Sequence, residues 1–231
     1  PARREVPATV RVEAPVSFGP TEWVTEAGGA DSGAVLLGEG LMEYEAVDGV
    51  DGMRLGLTLL RSVGYLSRGD LPTRPSGQAG PGLPAPGAQC LGTHTFRLAF
   101  GPRTISPSNG ALLGRASTFA SPPHVEPAIG PAAPLPPAGA FLGLDALDGE
   151  IQLSACYWSA EADALVVRVF NPNGRPARVR LSAAHPADKA SRVDFLEREI
   201  ESLAVDGGTV ELDLGPFAIE TVMLWITRSE K

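Results

Sequence analysis

Residues 41–59 read Leu41-Met42-Glu43-Tyr44-Glu45-Ala46-Val47-Asp48-Gly49-Val50-Asp51-Gly52-Met53-Arg54-Leu55-Gly56-Leu57-Thr58-Leu59. Met42, Tyr44 and Ala46 fall on one side of an extended chain, with Glu43 and Glu45 on the other. Met53, Leu55, Leu57 and Leu59 then share a face opposite Arg54, Gly56 and Thr58. A period of two with opposite chemistry is the mark of a half-buried strand. The acidic and glycine-rich stretch at 48–52 is what a tight turn between two strands uses. The segment predicts a β-hairpin, and the rest of the chain follows the same grammar.

Short apolar runs recur throughout. Residues 93–100 place His94, Phe96, Leu98 and Phe100 on one face. Residues 151–158 alternate, and 165–170 form an apolar run. Asn171-Pro172-Asn173-Gly174 is a strong turn signal. Ala177, Val179 and Leu181 alternate with Arg178 and Arg180, which reads as the return strand of a second hairpin. Val210, Leu212 and Leu214 alternate with Glu211 and Asp213 after a Gly207-Gly208 turn, and 219–226 is a last strand. Residues 191–203 are ambiguous between strand and a helical turn. The terminal eighty residues thus predict about six strands, the content of a small sandwich. At the other end, residues 9–16 alternate loosely around Val10 and Val12.

Composition agrees. The 231 residues include 27 Gly and 22 Pro, about one position in five, while 43% are hydrophobic. Gly and Pro at that density exclude a helical bundle, and the apolar content excludes disorder. Two stretches concentrate the excess. Residues 64–92 form a long Pro/Gly loop that carries Arg68, Asp70 and Arg74. Residues 101–143, with seven prolines between 121 and 140, read as an extended spacer. A docking motif for a polyproline-binding partner is the less favoured reading of that spacer.

The formal charge is −8, from 19 basic and 27 acidic residues. Such a balance repels phosphate backbones and anionic lipid, so neither nucleic acid nor a membrane surface is an expected partner. No apolar run is long enough to span a bilayer. No signal peptide is visible, and a cytoplasmic location is expected. The sequence begins at Pro1 without Met, which reads as a processed product or a piece of something longer. Cys90 and Cys156 are read as free buried thiols, with one long-range disulfide as the alternative.

Candidate chemistry is sparse. His94, His124 and His185 are not at metal-ligand spacing with any other His or Cys, so no metal site is expected within this chain. No nucleophile elbow or phosphate-binding glycine loop is present. Glu43 and Glu45 read as a solvated strand face, and Asp145 and Asp148 as turn residues. Arg61, Arg68, Asp70 and Arg74 remain. Arginines along a Pro/Gly loop either grip an anionic or hydroxyl-rich ligand or pair with Asp70 and the loop carbonyls. Trp23, Trp158 and Trp225 are either sugar-stacking platforms or packing residues.

Several blocks together resemble a known family. They are Gly40-Leu41-Met42-Glu43-Tyr44-Glu45, Leu57-Thr58-Leu59-Leu60-Arg61-Ser62-Val63-Gly64, Leu66-Ser67-Arg68-Gly69-Asp70-Leu71, Pro86-Gly87-Ala88-Gln89-Cys90-Leu91-Gly92 and Val167-Arg168-Val169-Phe170-Asn171-Pro172, with Ile219-Glu220-Thr221 near the end. They are similar to the C-terminal region of glycoside hydrolase family 38, the α-mannosidases and mannosylglycerate hydrolases. The resemblance implies an all-β chain: part of a large antiparallel β-sandwich over residues 1–143, ending in the Pro-rich linker at about 101–143, then a small sandwich over 144–231. It also implies that catalysis belongs to an absent N-terminal barrel, retaining in mechanism and carrying one zinc. No His-x-Asp ligand motif occurs here. The chain alone is therefore expected to be inactive and free of cofactor, with Arg68, Asp70 and Arg74 on the rim of a mannoside cleft in the intact enzyme. Its expected partners are that barrel and, through an uncovered sheet edge, a covering segment or a second copy. The competing reading is a free-standing carbohydrate-binding or structural β-sandwich.

Overall fold

A computed structural model describes residues 18–20, 24–28, 32–71, 74, 77–103, 108–125, 127 and 139–226. The alternating segment around Val10 and Val12, and Trp23, lie outside them. The chain divides into two compact units, Pro1–Pro123 and His124–Lys231.

Among the described residues the first unit contains two three-stranded antiparallel sheets. Its strands are β1 (Phe18–Pro20), β2 (Val24–Gly28), β3 (Gly33–Gly38), β4 (Glu43–Gly49), β5 (Gly52–Leu57) and β6 (Leu98–Arg103). One sheet has the order β1-β4-β5 and the other β2-β3-β6. The predicted hairpin is β4–β5, closed by Gly49 opposite Gly52 with Val50 and Asp51 as the loop. It is shorter than its pattern. Residues 58–62, expected to prolong β5, leave the sheet, and residues 93–97 form no strand before β6. A helix, α1 (Asn109–Ala120), packs on β2 and β3.

That helix was not expected within the 101–143 spacer, whose extended part was read between Ser121 and Ala140. The spacer's prolines flank the helical segment and do not interrupt it. The Ser108 hydroxyl accepts from the Ala111 amide at 3.2 Å, and Leu112 and Ala116 are buried. An N-cap followed by Ala and Leu at helical spacing is enough to form three turns. The proline-dense core of the stretch, 128–138, lies outside the described residues.

The second unit is a β-sandwich with eight strands among the described residues, two more than the pattern suggested. They are β7 (Leu142–Asp148), β8 (Gln152–Trp158), β9 (Leu165–Phe170), β10 (Ala177–Ala183), β11 (Ala187–Val193), β12 (Glu199–Leu203), β13 (Val210–Leu214) and β14 (Ile219–Ile226). A three-stranded sheet, β13-β10-β7, faces a five-stranded one, β12-β11-β14-β9-β8. Alternate residues of the two sheets meet in one core: Leu165, Val167 and Val169 from β9, Val179 and Leu181 from β10, Leu212 and Leu214 from β13, Val222 and Leu224 from β14. This is the interdigitation that two half-apolar sheets require.

Two expectations change here. β9 and β10 do not form a hairpin, because they lie in opposite sheets. Strand β9 is buried on both faces, with Val166 and Val167 each at 0% exposure, so it sits centrally between β14 and β8. The Asn171–Gly174 segment is therefore an arch that carries the chain across the sandwich. The ambiguous stretch 191–203 resolves into the end of β11, a turn and β12. Asp145 and Asp148 belong to β7 and not to a turn, opposite Arg180 and Arg178 of β10.

Candidate functional site

The loop after β5 is ordered by its own hydrogen bonds. Glu43 holds its start: the Thr58 amide donates to the Glu43 carbonyl at 2.9 Å and the Thr58 hydroxyl to Oε1 at 3.0 Å. Arg61 lies 3.1 Å from the other carboxylate oxygen. Glu43 thus serves as a local anchor. The chain then doubles back on itself. Amides of Val63, Ala85 and Leu66 donate to the carbonyls of Ala88, Gly64 and Leu83 at 3.1, 2.9 and 2.9 Å. The Gln89 side chain donates to the Val63 carbonyl at 2.6 Å, and the Ser62 hydroxyl to the Gln89 carbonyl at 3.0 Å. At the head of this stem the Ser67 hydroxyl accepts from the amides of Ala79 and Gly80, both at 3.2 Å. Prolines lack the donor needed for a sheet ladder, so the stem is closed by scattered backbone and side-chain bonds instead.

Beyond that closure, the tip carries the residues singled out in the sequence. Arg68 Nε donates to Asp70 Oδ1 at 2.8 Å, and a second guanidinium nitrogen donates to Oδ2. This fork holds the Asp70 carboxyl below the usual carboxylate range and raises the Arg68 guanidinium further. An ionised, doubly bonded Asp70 is not a proton donor near neutral pH. Arg68 and Arg74 both line a shallow depression of about 330 Å³, with Leu66, Leu71 and Pro81 as its apolar wall. The structure brings the two arginines to one surface and places Asp70 beside Arg68. Such a surface suits a ligand with hydroxyls or a negative charge and one apolar face.

The other candidates are placed elsewhere. Exposed His94 has Nε2 2.7 Å from the Cys90 carbonyl and stacks on Phe96 at 6.2 Å. Both cysteines are free, as read from the sequence, but Cys90 is only half-buried and Cys156 is exposed. Trp158 is 41% exposed at the end of β8. Trp225 is half-buried on β14 with the Lys189 ammonium 4.3 Å from its ring centre. Among the described residues no group of three His, Cys, Asp or Glu side chains is placed to hold a metal ion. No helix among them is long and apolar enough to cross a membrane.

A site the sequence did not reveal lies on the outer face of the five-stranded sheet. There the β8–β9 loop and the β11–β12 turn lean over Val193, Met223 and Trp225 and border a half-open cavity of about 250 Å³. Their neighbourhood could be found only from strand order, since the two loops are far apart in the chain.

Residues 150–222 match the family model for the glycosyl hydrolases family 38 C-terminal beta sandwich domain. The second unit's sandwich is therefore similar to a family 38 C-terminal β-sandwich domain. The match takes in β8–β13 and the first part of β14, nearly all of the second unit's sandwich. The fold is also that of solved family 38 structures. The chain is similar to a glycosyl hydrolase family 38 protein from Enterococcus faecalis, with a TM-score of 0.69 and 24% identity over 92% of this chain and 23% of that one. It is equally similar to an α-mannosidase from Enterococcus faecalis, with a TM-score of 0.69 and 25% identity over 92% and 22%. The family 38 likeness therefore extends through both units, while this chain spans less than a quarter of the length of either structure. No curated protein sequence matches it.

Proposed function

We propose that this family 38 region is the non-catalytic C-terminal part of a zinc-dependent, retaining α-mannosidase-like glycoside hydrolase. It supports the catalytic barrel and shapes the substrate cleft. The observation that carries the reading is the length relation: 92% of this chain corresponds to only 22% of an α-mannosidase. In such a protein the chemistry belongs to the remaining sequence. The described residues do not fit the zinc that the parent activity implies, since no donor cluster is placed to bind it. In this reading the metal belongs to the partner domain.

In this reading Arg68 and Arg74 face a bound mannoside. Arg68 is fixed by Asp70, so its guanidinium is oriented before substrate arrives, which lowers the entropy cost of contact. The apolar wall of the depression suits the C–H face of a sugar ring. The partners are the N-terminal domain of the same protein and the mannoside, and the expected compartment is the cytoplasm.

The test is hydrolysis of an aryl α-mannoside by the full-length protein, with and without a chelator, beside the 231-residue chain alone. Turnover by the full-length protein that the chelator abolishes, with none from the chain, is the expected result. Turnover that survives complete metal removal would overturn the zinc assignment, and turnover by the chain alone would overturn the division of labour. For the cleft rim, Arg68→Ala and Arg74→Ala in the full-length enzyme should raise KM or lower kcat. Unchanged kinetics in both would remove the tip from the cleft.

A further inference from the structure

The outer face of the five-stranded sheet is built differently from a solvated sheet surface. Strand register puts Tyr157, Val166, Met223 and Ser191 in one row across β8, β9, β14 and β11, with Trp225 opposite Lys189 beside it. Val166, Val193 and Met223 are buried although no second sheet covers them. Their cover is the pair of loops. Glu197 holds the two together, accepting from the Tyr157 hydroxyl at 3.0 Å and from the Ser159 hydroxyl at 2.5 Å. It does so from a backbone φ of 62°, a left-handed conformation unusual for glutamate. Within the cavity so formed, Val193, Met223 and Ala162 are apolar, Trp225 is aromatic, and Glu161, Glu197 and Glu199 supply acceptors. On the same face, Ser191 Oγ is fully buried and has no hydrogen-bond partner among the described residues. A buried hydroxyl without a partner is uncommon.

We propose that this cavity is a carbohydrate-binding subsite that takes one neutral pyranose ring. The chemistry favours a polyol over a cation. Lys189 already places an ammonium against the Trp225 ring and 3.7 Å from Glu199, so the chain fills the cation position itself. Glu197 is already bonded to two hydroxyl donors, which shows the geometry in which its carboxylate receives them. A sugar ring matches the remaining surface: C–H faces against Met223 and the exposed part of Trp225, hydroxyls toward Glu161 and Glu199. The volume suits one ring and not a chain. The site lies in the second unit, and the inference stands without the cleft reading of Arg68 and Arg74.

The test uses the isotope-labelled 231-residue chain, titrated with methyl α-mannopyranoside and separately with tetramethylammonium, and followed by amide NMR shifts. The sugar should give saturable shifts at residues 159–162 and 194–199, with a millimolar Kd. Glu161→Ala removes an exposed carboxylate at no risk to the core and should weaken binding at least tenfold. Trp225→Leu should do the same, with an otherwise unchanged spectrum showing that the sandwich is intact. Absence of saturable shifts, shifts unaffected by both substitutions, shifts confined to residues 66–81, or a response to tetramethylammonium alone would each overturn the proposal. The third of these outcomes would leave the cleft reading standing.

Discussion

The side-chain amide of Asn171 donates to the Gly215 carbonyl at 2.9 Å, across 44 positions of sequence. It also donates to the Arg175 carbonyl at 2.6 Å, and its own oxygen accepts from the Asn173 amide at 3.0 Å. One buried side chain, 2% exposed, thereby shapes the arch from β9 to β10 and ties it to the β13–β14 turn. Asn171→Ala should destabilise the second unit by about 2–4 kcal/mol, because two carbonyls and an amide lose their partner together. Asn171→Asp keeps the shape but turns both donors into an acceptor aimed at carbonyls, and should cost at least as much. Denaturant unfolding followed by Trp225 fluorescence is the measurement; a loss below about 1 kcal/mol for both variants would contradict the account.

How much was legible follows from which interactions are local. In the second unit β8, β10 and β13 were readable from their own two-residue period and β9 and β14 as apolar runs, whereas β7 was read as linker and turn, and β11 and β12 fell in or beside the ambiguous stretch 191–203. The pairing of the strands was not legible. Asn171-Pro172-Asn173-Gly174 signals a reversal equally well for a hairpin and for an arch, and what decides is the double burial of β9, a property of the assembled sheet. Helix α1 was masked by prolines on either side of an otherwise good helical segment. At the tip, the spacing of Arg68 and Asp70 made their pairing one of two readings, and the structure adds Arg74 to the same depression. The cavity over Met223 had no sequence signature, since its two walls are brought together only by the strand order β11-β14-β9-β8.

Gly33 should not tolerate a side chain. A Cβ there would stand 2.4 Å from the Ala27 carbonyl oxygen and 2.8 Å from Arg103 Nε. Arg103 cannot withdraw freely, because its guanidinium is buried and lies 2.8 Å from Glu26 and 3.3 Å from the Ser32 carbonyl. Gly33→Ala must therefore part β2 from β3 or break that ion pair, at a cost of about 2 kcal/mol or more. Hydrogen exchange at amides of β2 and β3 should rise while the second unit is unaffected. Unchanged protection there would show that the sheet accommodates a methyl group.

Helix α1 depends on its cap. Ser108→Ala removes the acceptor for the Ala111 amide and should cost about 1 kcal/mol, seen as faster exchange in residues 109–112. Ser108→Asp should restore protection, since it supplies both an acceptor and a negative charge at the helix N-terminus. Failure of Asp to rescue would mean that packing of Leu112 and Ala116, and not the cap, fixes the start of the helix.

The Arg68–Asp70 fork should persist into acid. Its folded-state carboxyl is depressed, so the stabilisation it gives the tip is complete above the unfolded value, 3.8 for an ordinary aspartate, and is lost only as pH falls through the lower folded value. A carboxyl-carbon NMR titration of Asp70 should have its midpoint below 3.8. Arg68→Ala should return the midpoint to the ordinary range, because the guanidinium bond is the main cause of the shift. A wild-type midpoint at or above the ordinary value would show that the fork is not held in solution, and would leave Arg68 without the fixed orientation that the cleft reading uses.

Cys156 should be a slow thiol despite its place on an edge strand. On β8 it stands opposite Val167 of β9, and partial burial pushes its thiol above the usual value. The thiolate is the reacting species, so at neutral pH its alkylation by iodoacetamide should be slower than that of a cysteine in an unfolded peptide. The rate should go on rising with pH after the peptide has levelled off. Peptide-resolved mass spectrometry separates Cys156 from Cys90. Unfolding should bring Cys156 to the peptide rate, and a native thiol that already reacts that fast would mean that the exposed side of β8 leaves the sulfur in water.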